Sequence, residues 1–218
     1  MDARLLPWEL MNEVQEDENR ALPWRHSALN VVLVLILALG LGSTLGYFLG
    51  NSTSDTASNS VDTGFLQDMR IHHEQAVVMA TIYLGAAPNG NSTLRMIARE
   101  IMLEQQMETG RMVQLLRMFK ASETNESDQV MGWMGTPIPL SRMPGYATDS
   151  ELEKLYQSRD AQADQLFVSL MIAHHKGGVH MAQYARDNGK NKEVIAFAGL
   201  IIESQTSEVG ELTRLQLQ

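Results

Sequence analysis

The sequence predicts an all-α protein: a four-helix bundle made of two repeated helical hairpins, preceded by one transmembrane helix. Three observations predict it, namely an uncharged run of twenty residues from Val31 to Gly50, an internal repeat beyond it, and a helical period within each copy of that repeat. Composition narrows the chemistry. The 218 residues carry 17 Lys+Arg against 26 Asp+Glu, a net charge of −9, with 6 His, 14 Met and no Cys. An acidic chain without a basic block gives phosphate backbones nothing to hold, so no nucleic-acid partner is expected. The absence of Cys removes disulfides, zinc–thiolate sites and thiol nucleophiles together. His, Met, Asp and Glu are left to carry any metal or acid/base chemistry.

In chain order, residues 1–30 form an acidic N-terminal segment, with Asp2, Glu9, Glu13, Glu16, Asp17 and Glu18 against Arg4, Arg20 and Arg25. Residues 31–50, VVLVLILALGLGSTLGYFLG, are long enough as a helix to span a hydrocarbon core of roughly 30 Å. The run is longer than a signal-peptide core, and no A-x-A-like site follows it, so it reads as an uncleaved signal anchor in membrane lipid. Arg20 and Arg25 precede the span while residues 51–69 carry no Lys or Arg. The positive-inside rule therefore puts the N-terminus in the cytoplasm and everything after residue 50 outside. Residues 51–61, NSTSDTASNSV, are a flexible Ser/Thr/Asn linker.

Residues 62–218 hold the bundle. The segment from Asp62 to Ala80 matches that from Asp164 to Ala182, with identities at Asp, Phe, Met, His-His and Val-x-Met-Ala. A second matching pair follows: Ile101, Gln105, Glu108 and Met112 against Ile201, Gln205, Glu208 and Leu212. The repeats are taken as 62–120 and 151–215, joined by a connection over 121–150. Phe65, Met69, His72, Ala76, Met79 and Tyr83 step by four and three, as do Phe167, Met171, His174, Gly178, Met181 and Ala185. Each set is one continuous helix face. Ala86–Gly90 ends the first helix with Ser92 or Thr93 expected to cap the next, and Asp187–Lys190 turns the second hairpin.

What occupies those faces is anomalous. His72, His174, Gln105, Gln205, Glu108 and Glu208 stand where apolar residues belong, and His73 and His175 sit one step round. A buried carboxylate must be hydrogen-bonded, protonated or metal-bound. Two explanations compete. One is a polar packing layer that fixes helix register. The other is a metal site in the bundle core, with His72, His73, His174 and His175 flanked by Met69, Met79, Met171 and Met181, and with Glu108 and Glu208 within reach. Imidazole with thioether suits copper, especially Cu(I), better than Mg, Ca or Mn. The di-iron pattern needs Glu-x-x-His, and no Glu here has a His three residues later. In the connection, MGWMGTPIPLSRMPG combines Met131, Met134 and Met143 with Pro and Gly and cannot be helical throughout. Trp133, Ile138 and Leu140 suit it to a lid over the bundle. No G-x-S-x-G, P-loop or dinucleotide fingerprint is present, so no enzyme activity is expected.

The doubled F-x3-M-x2-HH-x5-MA pattern, with the Ile-x3-Gln-x2-Glu segments and the M-P-G loop before the second copy, resembles the bacterial domain of unknown function 305 family over about residues 62–215. The resemblance implies a ferritin-like fold, export from the cytoplasm and an association with copper, carried by His72, His73, His174 and His175 with Met69, Met79, Met171 and Met181 beside them. The second copy departs from the first at Lys176-Gly177-Gly178, where Glu74-Gln75-Ala76 stand in the first, and it adds His180. Together these readings predict a single-pass, extracytoplasmic protein that holds or delivers copper, with an extracytoplasmic copper enzyme or respiratory complex such as a terminal cytochrome oxidase as partner. The alternative is an accessory subunit of such a complex whose His/Glu/Gln layer serves packing alone.

Overall fold

The computed structural model describes residues 31–32, 36–43, 57–125 and 127–216. The described parts of the expected membrane span, 31–32 and 36–43, are helical and exposed; the rest of that span, the segment 1–30 and linker residues 51–56 lie outside the described residues. Among the described residues no helix is long and apolar enough to cross a membrane. The chain divides into two units, 1–54 and 55–218.

The second unit is all-α apart from one two-residue hairpin. Its long helices are α1 (Ser60–Ala86), α2 (Ser92–Met118), α4 (Ala161–Asn188) and α5 (Lys192–Gln216), with a short α3 (Asp149–Gln157) before α4. Helix α1 packs on α2 and α4 on α5, as two hairpins that meet through α1 and α4; α2 and α5 scarcely touch. Helix α3 is a separate element packed on α1, so the second hairpin begins at Ala161 and not at residue 151.

Helix starts follow local capping chemistry. The Asn59 side chain accepts from Asp62 N at 2.9 Å while Asp62 Oδ2 accepts from Asn59 N at 2.8 Å, a reciprocal box that satisfies two orphan donors. Helix α2 is capped by Asn91, which accepts from Leu94 N at 3.1 Å, in place of Ser92 or Thr93; those two already lie in the first helical turn.

The repeated Asp62/Asp164 pair has a structural reason. Asp62 accepts from the backbone N–H groups of Lys190 and Asn191 in the α4–α5 turn, at 3.1 to 3.2 Å. Asp164 does the same in the α1–α2 turn, accepting from Asn91 N at 2.8 Å and from the Tyr83 hydroxyl at 2.6 Å. Each hairpin's first helix thus pins the other hairpin's turn with a charged acceptor. Glycine is required at both turns, since a Cβ on Gly90 would lie 2.5 Å from Asp164 Oδ1 and one on Gly189 2.8 Å from Asp62 Oδ1.

Residues 121–148 form the lid. Strands β1 (Gln129–Val130) and β2 (Ile138–Pro139) pair antiparallel, with Gln129 opposite Pro139 and Val130 opposite Ile138. Val130, Met131 and Met143 are buried, and Trp133, Ile138 and Leu140 pack against the same apolar cluster. Buried Asp68 on α1 holds the lid by accepting from Met131 N and Trp133 Nε1, each at 2.7 Å. The Trp133 ring stands edge-on to Phe65, with centroids 5.9 Å apart.

The apolar core falls into two clusters. Phe65, Met69, Met112, Met181, Ala198 and Ile201 belong to one; Ala76, Met79, Ile101, Met171 and Leu212 belong to the other. On every long helix the buried residues between the two clusters are polar or glycine: His72, His73 and Gln75 on α1, Gln105 on α2, His174, His175, Gly177 and Gly178 on α4, Gln205 on α5. A polar layer therefore crosses the whole bundle at mid-height.

Candidate metal centre

The histidine pairs occupy that layer because the 3.6-residue period that buries Phe65, Met69 and Met79 also buries position 72, and position 73 follows onto the flank facing α2. All four rings, His72, His73, His174 and His175, have no exposed surface. His72 and His174 meet face to face across α1 and α4, with ring centroids 3.7 Å apart and planes 24° from parallel. The His174 and His175 rings are 6.0 Å apart.

Each ring uses one nitrogen. His72 Nε2 lies 3.2 Å from the Pro144 carbonyl oxygen, and His174 Nε2 lies 2.9 Å from the carbonyl of His72 itself. A carbonyl oxygen only accepts, so both rings carry hydrogen on Nε2. Burial, aided by the neighbouring imidazoles, pushes His72 down to about 3 and His174 well below the usual histidine range, so both are neutral at pH 7. Their Nδ1 atoms are then bare lone pairs. His73 Nε2 pairs with Glu108 Oε2 at 2.7 Å, and His175 Nε2 with Glu208 Oε2 at 2.6 Å.

All four Nδ1 atoms are buried with no hydrogen-bond partner, as are both amide atoms of Gln105 and Gln205. Unsatisfied polar atoms at this density, in one layer of a native core, are costly and call for a ligand or ordered water. Copper fits this donor set: imidazole lone pairs are available, soft thioethers flank them, and a ring that ligates through one nitrogen ordinarily gives its other N–H to a carboxylate or a carbonyl, which is what each of these rings does. Glu108 and Glu208, both expected in the metal site, pair with Nε2 of His73 and His175. Met69 and Met181 lie in one apolar cluster and Met79 and Met171 in the other, all fully buried. Among the described residues, no three His, Asp or Glu side chains gather into a ready-made cage.

The carboxylates connect this layer to solvent. Glu108 lines an open cleft of about 400 Å³ between α2 and α5, with Glu104, Met107, Phe197 and Leu200. Partial burial and the nearby Glu208 and Glu108 push the Glu104 carboxyl up.

Several contacts at the layer are not visible in helical periodicity. The lid residue Pro144 reaches His72 through its carbonyl, and Gln75 grips Ala147, donating to its carbonyl at 2.8 Å and accepting from its N–H at 2.6 Å. The departures between the two repeats are the signal for these contacts. Gly177 stands where Gln75 stands in the first copy, and a Cβ there would fall 1.9 Å from the Pro144 oxygen. Gly178 stands where Ala76 does, and its Cβ would fall 2.3 Å from Gln205 Oε1.

Residues 62–216 match the model of the domain of unknown function DUF305. Among solved structures, a DUF305 protein of Streptomyces coelicolor, described as secreted, superposes with a TM-score of 0.65 at 33% identity, over 72% of this chain and 90% of its own. A DUF305 fragment from Deinococcus radiodurans gives a TM-score of 0.62 at 27% identity, over 73% and 97%. CopM in its Cu(I)-bound form gives 0.52 at 25% identity, over 71% and 94%. No curated protein matches the chain. An all-α fold shared with these structures, and a family match running through both repeats, settle the relationship: the chain belongs to the DUF305 family.

Proposed function

We propose that the protein holds copper, as Cu(I), in the polar layer of its bundle, and keeps or delivers the ion rather than turning over a substrate. The observation that carries this is the set of four buried imidazoles, each spending Nε2 on a carbonyl or carboxylate and leaving Nδ1 unpartnered. Cu(I) supplies a soft acceptor for imidazole and thioether lone pairs. His72, His73, His174 and His175 would bind it, Met69, Met79, Met171 and Met181 would supply thioethers from either side, and Glu108 and Glu208 would orient His73 and His175. Support from relatives is of the same kind, since CopM is known in Cu(I)-bound and silver-bound forms.

The uncharged run at 31–50 favours a membrane anchor with the bundle outside the cytoplasm, and the fold is read as ferritin-like. An anchored copper-holding domain suits a membrane-bound copper enzyme, such as a respiratory oxidase, as its partner. A packing layer without metal is the second reading, favoured by the absence of a three-residue cage among the described residues.

Anaerobic titration of the full chain with Cu(I) against a chromogenic chelator separates the two. A dissociation constant of about 1 μM or tighter, abolished by His72→Ala with His73→Ala or by His174→Ala with His175→Ala, supports the metal site. No binding, with thermal stability still lost on substitution, supports the packing layer.

A further inference from the structure

The lid does more than cover the core, because its backbone reaches the centre of the layer. From Met143 to Ala147 the chain crosses α1 and α4 in close contact with both. Gly145 adopts φ +76, and a Cβ on it would lie 2.4 Å from the Ala173 carbonyl and 2.7 Å from His174 Cα. Next to it, the Pro144 carbonyl approaches so near Gly177 that only glycine fits there. That same carbonyl accepts the His72 Nε2–H, and three residues later Gln75 clamps Ala147 with a buried pair of hydrogen bonds.

The other three histidines are held differently. His174 is oriented by the helical backbone of α1, at the His72 carbonyl, and His73 and His175 by glutamates on α2 and α5. His72 alone among the four takes its partner from a loop. We propose that the Met143–Ala147 loop is a positioning element for the metal centre, fixing the His72 ring so that Nε2–H faces Pro144 and the Nδ1 lone pair faces the layer, with Gln75 as the latch.

This inference rests on the copper-holding function, and it deepens it by assigning a loop and a latch residue to one ligand. Seating the loop presents His72 as a ready donor, and unseating it leaves the ring free to turn and its Nε2–H open to water. Metal affinity is thereby coupled to the seating of this stretch of the lid. Loss of a group that orients a metal-binding histidine typically costs about 10- to 100-fold in affinity, which sets the scale expected here.

The test uses the full chain in detergent, labelled with 15N at histidine, as wild type and as Gln75→Leu, which keeps the side-chain volume but removes both bonds to Ala147. In the wild type, the His72 Nε2–H is expected as a slowly exchanging imidazole signal. In Gln75→Leu that signal disappears into water exchange while the His174 Nε2–H, held by α1, persists, and Cu(I) affinity falls by about tenfold or more. Gly145→Ala, which displaces the loop by steric contact instead, serves as a second variant and should give the same pattern. The inference is overturned if the His72 Nε2–H stays protected in both variants, or if it is lost while Cu(I) affinity changes by less than about twofold. If the wild-type chain binds no Cu(I), the copper function fails; selective loss of the His72 signal in the variants would still uphold the loop's hold on His72.

Discussion

Acid should loosen this bundle through its two stacked histidines. His72 titrates near 6.5 in an unfolded chain and is pushed down to about 3 in the fold, where the ring is buried against His174 and neighbours His73 and His175. The unfolded chain therefore binds a proton in a range where the native state does not, and stability must rise with pH through that range. The contribution is fully present above pH 6.5 and is lost as pH falls from there toward 3. One pH unit corresponds to about 1.4 kcal/mol, so His72 alone removes about 2 kcal/mol at pH 5 and about 3 kcal/mol at pH 4. His174 is shifted in the same direction for the same reason and adds to the loss. Against a total stability of roughly 5–15 kcal/mol, such a loss is large.

Asp68 and Glu104 act in the opposite sense. Their carboxyls are pushed up by burial, so the folded state takes protons more readily than the unfolded chain there, and each gains stability as pH falls through its titration. Comparison with a His72→Gln variant cancels these terms, because Gln keeps a side-chain donor near Pro144 and does not titrate. Urea unfolding followed by helical circular dichroism, at half-unit steps from pH 7 to pH 4, gives both curves. The metal-free wild type should lose about 2 kcal/mol more than His72→Gln between pH 7 and pH 5. Parallel curves would refute the assignment of His72 as a buried neutral base.

Three further outcomes follow from the geometry. Asp62→Asn and Asp164→Asn each remove a charged acceptor from the opposite hairpin turn and should cost about 1–2 kcal/mol by thermal unfolding. Gly177→Ala puts a methyl 1.9 Å from the Pro144 oxygen and should cost about 1–3 kcal/mol, with faster proteolysis confined to residues 131–147. Glu108→Gln leaves the fold intact by circular dichroism but weakens Cu(I) binding by about tenfold or more in the chelator competition, because His73 loses its charged acceptor.

Much of this architecture is legible in the residues because helices write their burial into the sequence at a fixed period. The steps of four and three through Phe65, Met69, His72 and Met79 locate one buried face, and the repeat locates its partner, so the helices and the hairpin turns can be read without coordinates. Helix starts are less legible: Asn91, Ser92 and Thr93 are all competent caps, and only backbone geometry selects Asn91. Helix α3 is missed for a related reason, since its nine residues are too few to display a period and it bears a single buried residue, Leu155.

The layer is legible in its residues and not in its wiring. Periodicity places four imidazoles and two glutamates near one another, but it cannot say which atom of each is spent. In the structure Glu108 and Glu208 pair with Nε2 of His73 and His175; under the copper-holding reading proposed above, two expected ligands become the groups that aim the ligands. The mismatch between the repeats carries the remaining information. A duplicated hairpin under identical constraints would keep Gln75-Ala76 in both copies; Gly177-Gly178 replaces them because one lid, contributed by an unrepeated stretch of chain, must fit against two near-equivalent faces. On α1 the lid is gripped by a side chain, and on α4 it is admitted by the absence of one. That asymmetry makes His72, and not its repeat partner His174, the histidine whose orientation depends on the loop.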